Sequence, residues 1–152
     1  VRNCVLVWFL VLGVLGCSRD FTSSALGVRY KPPSAMKLES EEVAGASVVA
    51  RFKQGLELRS VKAAPPALDA GPEAVLGAAG LAVPGRLVAD SRGTLPAGPV
   101  SRYEFADGGK RTLVYFLPRA GSFLLVTFTA PERDYGSLSS RVELSLSTLE
   151  LL

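Results

Sequence analysis

Few side chains in this chain of 152 residues have the types and spacing to do chemistry, and both of its thiols stand near the start. Cys4 lies inside an apolar run, and Cys17 closes that run directly after Gly16. There is no histidine, which removes the usual general base for a Ser or Cys nucleophile and the commonest metal ligand. Asp90, Ser91, Ser101 and Asp107 carry oxygen nucleophiles and carboxylates, but nothing is spaced as a nucleophile with its base. No catalytic residue, metal ligand or cofactor is assigned, and the reading is not an enzyme. Glu39, Glu41 and Glu42 crowd an acidic turn expected over residues 40–45. Carboxylates so close together can hold a hard cation, but no other ligand accompanies them, which favours a solvated loop. Gly77, Gly80 and Gly85 lack the Lys-Ser/Thr of a phosphate-binding loop and read as a small-residue packing face.

The segment around Cys17 is the most specific. From Cys4 to Leu15 the chain carries no charge, and Arg2 precedes it. A spanning helix needs about 20 apolar residues, so this run is short for a permanent anchor and has the proportions of an export signal. Val1 stands first, as a start codon read literally as Val or a trimmed sequence would leave it. The ending Val14-Leu15-Gly16-Cys17 resembles the lipobox of bacterial lipoproteins, with Leu15 bulkier than the residue often found there. The resemblance implies cleavage between Gly16 and Cys17 and acylation of the Cys17 thiol by diacylglycerol, with palmitate-type chains as the membrane anchor. Each buried methylene contributes about 0.8 kcal/mol, so two or three acyl chains anchor stably. A plain cleavable signal, or an uncleaved apolar helix with Cys17 incidental, is the competing reading. Ser18 after the Cys fits delivery to the outer membrane, facing the periplasm; Asp in that place would retain the protein at the inner membrane, which stays open.

About 135 residues then remain, enough for one domain and one core. The chain is 48% hydrophobic and 20% charged, the composition of a globular protein. Its formal charge of +3 comes from 17 basic and 14 acidic residues, with no more than two basic residues in a row. A nucleic-acid surface needs a stripe of Lys and Arg interleaved with aromatics, and none is present. With Cys4 in the signal and Cys17 at the anchor, no structural disulfide is expected in the domain.

The positioning elements follow from periodicity. Residues 1–16 read as signal, 17–25 as lipidated N-terminus and tether, and 26–152 as a single domain. Strands are expected at 26–31, with Val28 and Tyr30 on one face, at 36–39, and at 46–52 and 56–61 around a Lys53-Gln54-Gly55 turn. A loop rich in breakers leads to a helix over about 73–82, opened by Pro72. Further strands are expected at 85–90, 100–105, 111–117 and 122–129, with a connection from Gly93 to Pro99 and an Asp-Gly hairpin turn at 106–109. The runs 112–117 and 123–128 barely alternate, which demands cover on both faces of the sheet. Tyr135, Leu138, Val142, Leu146 and Leu149 recur as one helical face, leaving Ser139, Arg141, Glu143 and Ser147 on the polar side.

Two stretches resemble the PsbP-like (Mog/PsbP, DcrB/LpqN-type) family: Leu124 to Pro131 followed by Tyr135 and a Ser-rich helix, and Leu26 to Ser34 with its proline turn. The resemblance implies an α+β fold, an α/β/α sandwich around a mainly antiparallel sheet, with the amphipathic helix at the C-terminal end. Residues 63–85 depart from it, since the family usually has a longer helix there. No shared catalytic motif comes with the fold. The expected function is therefore a membrane-anchored, non-catalytic interaction or assembly module of the bacterial cell envelope. Its expected partners are the membrane, through the lipid, and another envelope protein, with no nucleic acid; a periplasmic small-molecule or divalent-cation binder is the alternative.

Overall fold

The computed structural model describes residues 20–152; Cys4, Gly16, Cys17 and the expected signal lie outside the described residues. Ten strands and two helices follow in order: β1 (Phe21–Ser23), β2 (Val28–Tyr30), β3 (Leu38–Ala44), β4 (Ser47–Phe52), β5 (Leu56–Val61), α1 (Pro72–Ala78), β6 (Arg86–Leu95), β7 (Gly98–Asp107), β8 (Lys110–Arg119), β9 (Ser122–Pro131), α2 (Glu132–Ser145) and β10 (Glu150–Leu151). A seven-stranded sheet has the order β3-β4-β5-β9-β8-β7-β6, two meanders joined where β5 meets β9. All its ladders are antiparallel. A small sheet, β1-β2-β10, is separate.

The central strands explain the lack of alternation in their sequences. Leu113, Tyr115 and Leu117 of β8, with Leu124, Val126 and Phe128 of β9, face one core. Val114, Phe116, Phe123 and Leu125 face the other. The first core is closed by α2, through Tyr135 and Val142, and by the small sheet, through Val28 and Tyr30. The second is closed by α1, through Val75 and Leu76, and by coil residues including Leu68, Leu81 and Val83. Both faces are covered as expected, but the second layer is a two-turn helix with extended chain beside it.

That helix is shorter than the 73–82 expected, because Gly80 stops it. Its φ of 70° is left-handed, and the amides of Gly80 and Leu81 bond back to Gly77 and Leu76, the usual glycine stop. Nothing approaches Gly77 or Gly80 closely enough to make a packing face; of the three glycines only Gly85 packs tightly, against the Ala106 carbonyl.

Other boundaries also moved. Phe21–Ser23, expected within the tether, is a strand: its pairing with β2 and the edge-on contact of Phe21 with Phe52 (5.2 Å between centroids) hold it to the domain. The β6 strand runs on to Leu95 through the expected connection, because Gly93 and Thr94 pair with Val100 and Pro99. The turn shrinks to Pro96-Ala97. The acidic turn at 40–45 is instead the strand β3, and the chain reverses at Gly45.

Candidate interaction surface

The acidic residues come apart once β3 is extended. Successive strand residues point to opposite faces, so Glu41, opposite Ala50, and Glu42, opposite Val49, diverge. Ser23 Oγ donates to Glu41 Oε1 at 2.5 Å, and Glu42 pairs with Arg51. Among the described residues no three acidic or sulfur ligands converge. Every residue of β3 is exposed, and the strand lies at the edge of its sheet. On the sheet face shared with Glu42, Arg51 and Arg59 both engage Glu57, an ion ladder that suits water.

The Ser and Asp residues weighed for nucleophilic chemistry also separate. Ser101 is buried and donates to the Leu68 carbonyl at 2.5 Å, which pins the coil over the second core. Asp90 and Ser91 sit on the edge strand β6, and Asp107 flanks the Gly108-Gly109 hairpin turn.

A connected polar cluster lies under α2 instead. Arg102 and Glu104 alternate on β7 and face the helix, opposite Tyr115 and Leu113 of β8. Arg102 donates to Glu104 at 3.0 Å and to Glu143 at 2.8 Å. Tyr115 donates to the second Glu143 oxygen at 2.9 Å, and Tyr135 to Glu104 at 2.5 Å. The Arg111 guanidinium lies 5.2 Å from the centre of the Tyr135 ring and 3.9 Å from Glu104. Burial disfavours the Glu104 carboxylate, yet the Tyr135 and Arg102 hydrogen bonds and the charges of Arg102 and Arg111 outweigh it and lower its pKa. Burial and then the Glu143 hydrogen bond push Tyr115 up to about 12, and burial with the Glu104 bond raises Tyr135 as well. Arg102 stays charged because its two carboxylates outweigh its burial.

This cluster docks α2; it holds no free base and no free nucleophile. Glu143 and Ser139, both expected on the polar side of the helix, belong to its docking. Glu143 reaches Arg102, and Ser139 is buried. The signal for the cluster was the i, i+2 placement of Arg102 and Glu104 on one strand face, but their helix partners are more than 30 residues away in sequence.

Above the cluster, α2 and the β6–β7 turn enclose an open groove of about 560 Å³. Thr94, Leu95 and Pro96 form one wall, and Ser140, Glu143 and Leu144 the other. Leu144 is 75% exposed there, although it is a large apolar residue on an otherwise docked helix. Of this groove the sequence pointed only to Glu143 and Ser147, as polar helix positions, because Leu144 falls outside the apolar repeat and the turn was placed differently.

No protein-family model matches the chain, and no curated protein matches it. Solved structures do match its fold. The solution structure of cyanobacterial PsbP (CyanoP) from Synechocystis sp. PCC 6803 is similar with a TM-score of 0.59 and 15% identity, covering 92% of this chain and 96% of that one. A crystal structure from Bacteroides thetaiotaomicron VPI-5482 is similar with a TM-score of 0.56 and 14% identity; the match covers 89% of this chain and 48% of that one. A mainly antiparallel sheet, two helices and these likenesses give the chain a PsbP-like fold.

Proposed function

We propose that this is a lipid-anchored envelope protein whose PsbP-like domain is a non-catalytic interaction module. The groove beside α2 carries the interaction half. It presents Leu144 to solvent on its α2 wall, across from Thr94, Leu95 and Pro96, with Glu143 of the same wall fixed by Arg102 and Tyr115. An open groove in which Leu95, Pro96 and Leu144 are interleaved with polar side chains suits an aliphatic side chain of a protein partner. The anchoring half rests on Val14-Leu15-Gly16-Cys17, with cleavage after Gly16 and acylation of Cys17. Ser18 after the Cys fits delivery to the outer membrane, facing the periplasm, with retention at the inner membrane as the alternative.

A photoreactive residue in place of Leu144, expressed in intact cells, tests the interaction half. The expected result is one discrete cross-linked species, absent when the same residue replaces exposed Val43 of β3, on the opposite edge of the sheet. Identical patterns from both positions, or no product from either, contradict it. The cation-binding alternative gains nothing from β3, where Glu41 and Glu42 face apart with partners of their own.

A further inference from the structure

The chain length between the anchor and the first strand constrains how the domain meets the membrane. Cys17 is four residues before Phe21, a reach of at most about 14 Å. An acylated Cys17 therefore keeps the Phe21 corner of the domain close to the headgroups, and no other corner can replace it.

That corner has a distinctive composition. Phe21 pairs with Tyr30, whose successor is Lys31. It also packs edge-on against Phe52, whose successor is Lys53. The Lys53 amide bonds to the carbonyl of Lys37 at 2.9 Å, and Leu38, next in the chain, lies opposite Phe52 and is 45% exposed. Lys31, Lys37 and Lys53 are all exposed. They are three of the chain's five lysines, and none makes an ion pair among the described residues. Glu39, Glu41, Glu42 and Glu57 lie within five residues of Lys37 or Lys53. Glu41 is engaged by Ser23, and Glu42 and Glu57 by Arg51 and Arg59. Glu39 and Asp20 are therefore the nearby acids that offset the three lysines, and Arg19 adds a positive charge to the sequence leading into β1.

We infer that Lys31, Lys37 and Lys53 form a collar that binds anionic lipid headgroups and fixes the orientation of the anchored domain, with Leu38 entering the interface beside them. The inference rests on the lipid anchor proposed above. Lysines within a Debye length of an anionic leaflet are attracted to it, and the attraction fades as salt shortens that length. The groove beside α2 includes Ser147, next in the chain to Thr148, whose hydroxyl accepts from the Lys31 amide at 3.0 Å, so one end of the groove adjoins the collar.

The full acylated protein, reconstituted in vesicles, allows a test by amine-reactive labelling. Lys62 is the internal reference: it is exposed and follows β5, roughly 20 Å along the strand from the Lys53 turn. Flotation with the vesicles is measured on the same samples. In phosphatidylglycerol-containing vesicles, labelling of Lys31, Lys37 and Lys53 relative to Lys62 is expected to fall about three- to tenfold and to recover at 1 M salt, where screening extends only about 3 Å. In pure phosphatidylcholine the ratio stays near that of detergent-solubilised protein. Protein that floats with equal ratios in both lipids overturns the collar and leaves the anchor intact. Protection of the same size in phosphatidylcholine reduces the collar to tether proximity and overturns headgroup binding. Failure to float overturns the anchor, and the collar with it.

Discussion

Gly55 shows how one residue sets the geometry of the sheet's middle. Its φ is 84°, and an added Cβ would lie 2.2 Å from the Thr129 carbonyl oxygen of the neighbouring strand β9. Gly55→Ala combines left-handed strain with a backbone clash, so chemical denaturation should show a loss of about 1–3 kcal/mol. Glu104 gives the pH dependence. Its carboxyl is lowered from 4.5, so its stabilising contribution is present above that ordinary value and is lost as pH falls through the lowered one. The melting temperature of Glu104→Gln should therefore lie below that of the wild type at neutral pH, with the gap closing in acid. A constant gap from pH 7 to pH 3 would contradict the ion-pair account. Tyr103 is the reverse case. Its hydroxyl is buried without a hydrogen-bond partner, so Tyr103→Phe should be neutral or stabilising by up to about 1 kcal/mol. These local effects were only partly legible in the sequence. A Lys-Gln-Gly turn is visible from composition, whereas the lowered Glu104 depends on Tyr135, which arrives from another element.

Elements were legible where a short-range pattern and the final packing agree. The α2 helix was read from Tyr135, Leu138, Val142, Leu146 and Leu149. All are buried except the half-buried Leu138, but the α-helix ends at Ser145, with Leu146 in a following 3-10 turn and Leu149 beyond it. Leu146→Ala should cost about 2–5 kcal/mol through the cavity it leaves, measurable by denaturant melts. The hairpin of β7 and β8 was read from its Asp-Gly turn, and the unbroken apolar runs of β8 and β9 from the double cover they need. What failed was polar sequence that folds as strand. In β3 the run Glu39 to Glu42 resembles a loop because no residue in it is buried. An edge strand held to β4 by ladder hydrogen bonds and the Glu42–Arg51 pair, with no buried residue, leaves no periodic trace, and its charges discourage pairing with another copy. The β6 strand was cut short for the same reason, since Gly93 and Thr94 pair with β7 without entering a core. The helix α1 ran long because Gly80 was weighed as a weak helix residue and acts as a stop. The candidate groove itself was not legible. Its two walls are α2 and the β6–β7 turn, and only the tertiary fold sets them side by side.

At the scale of the whole molecule, two facts of different kind meet. The domain has a PsbP-like fold with covered cores on both sides of its sheet, a scaffold that does not by itself specify an activity. The sequence ahead of it carries the one residue with an assignable chemistry, Cys17, four positions before the first strand. In our account the short tether and the lysines at the Phe21 corner meet lipid, and the groove beside α2 meets a partner. Cys17→Ala is then expected to move the protein from the membrane fraction to the soluble or signal-retained fraction while leaving the thermal melt of the domain unchanged. The most direct measurement is mass spectrometry of the N-terminal peptide from the membrane fraction. The account predicts a chain that starts at Cys17 and carries a diacylglyceryl thioether on its sulfur; an N-terminal peptide with a free Cys17 thiol, or one still joined to Gly16, would contradict it.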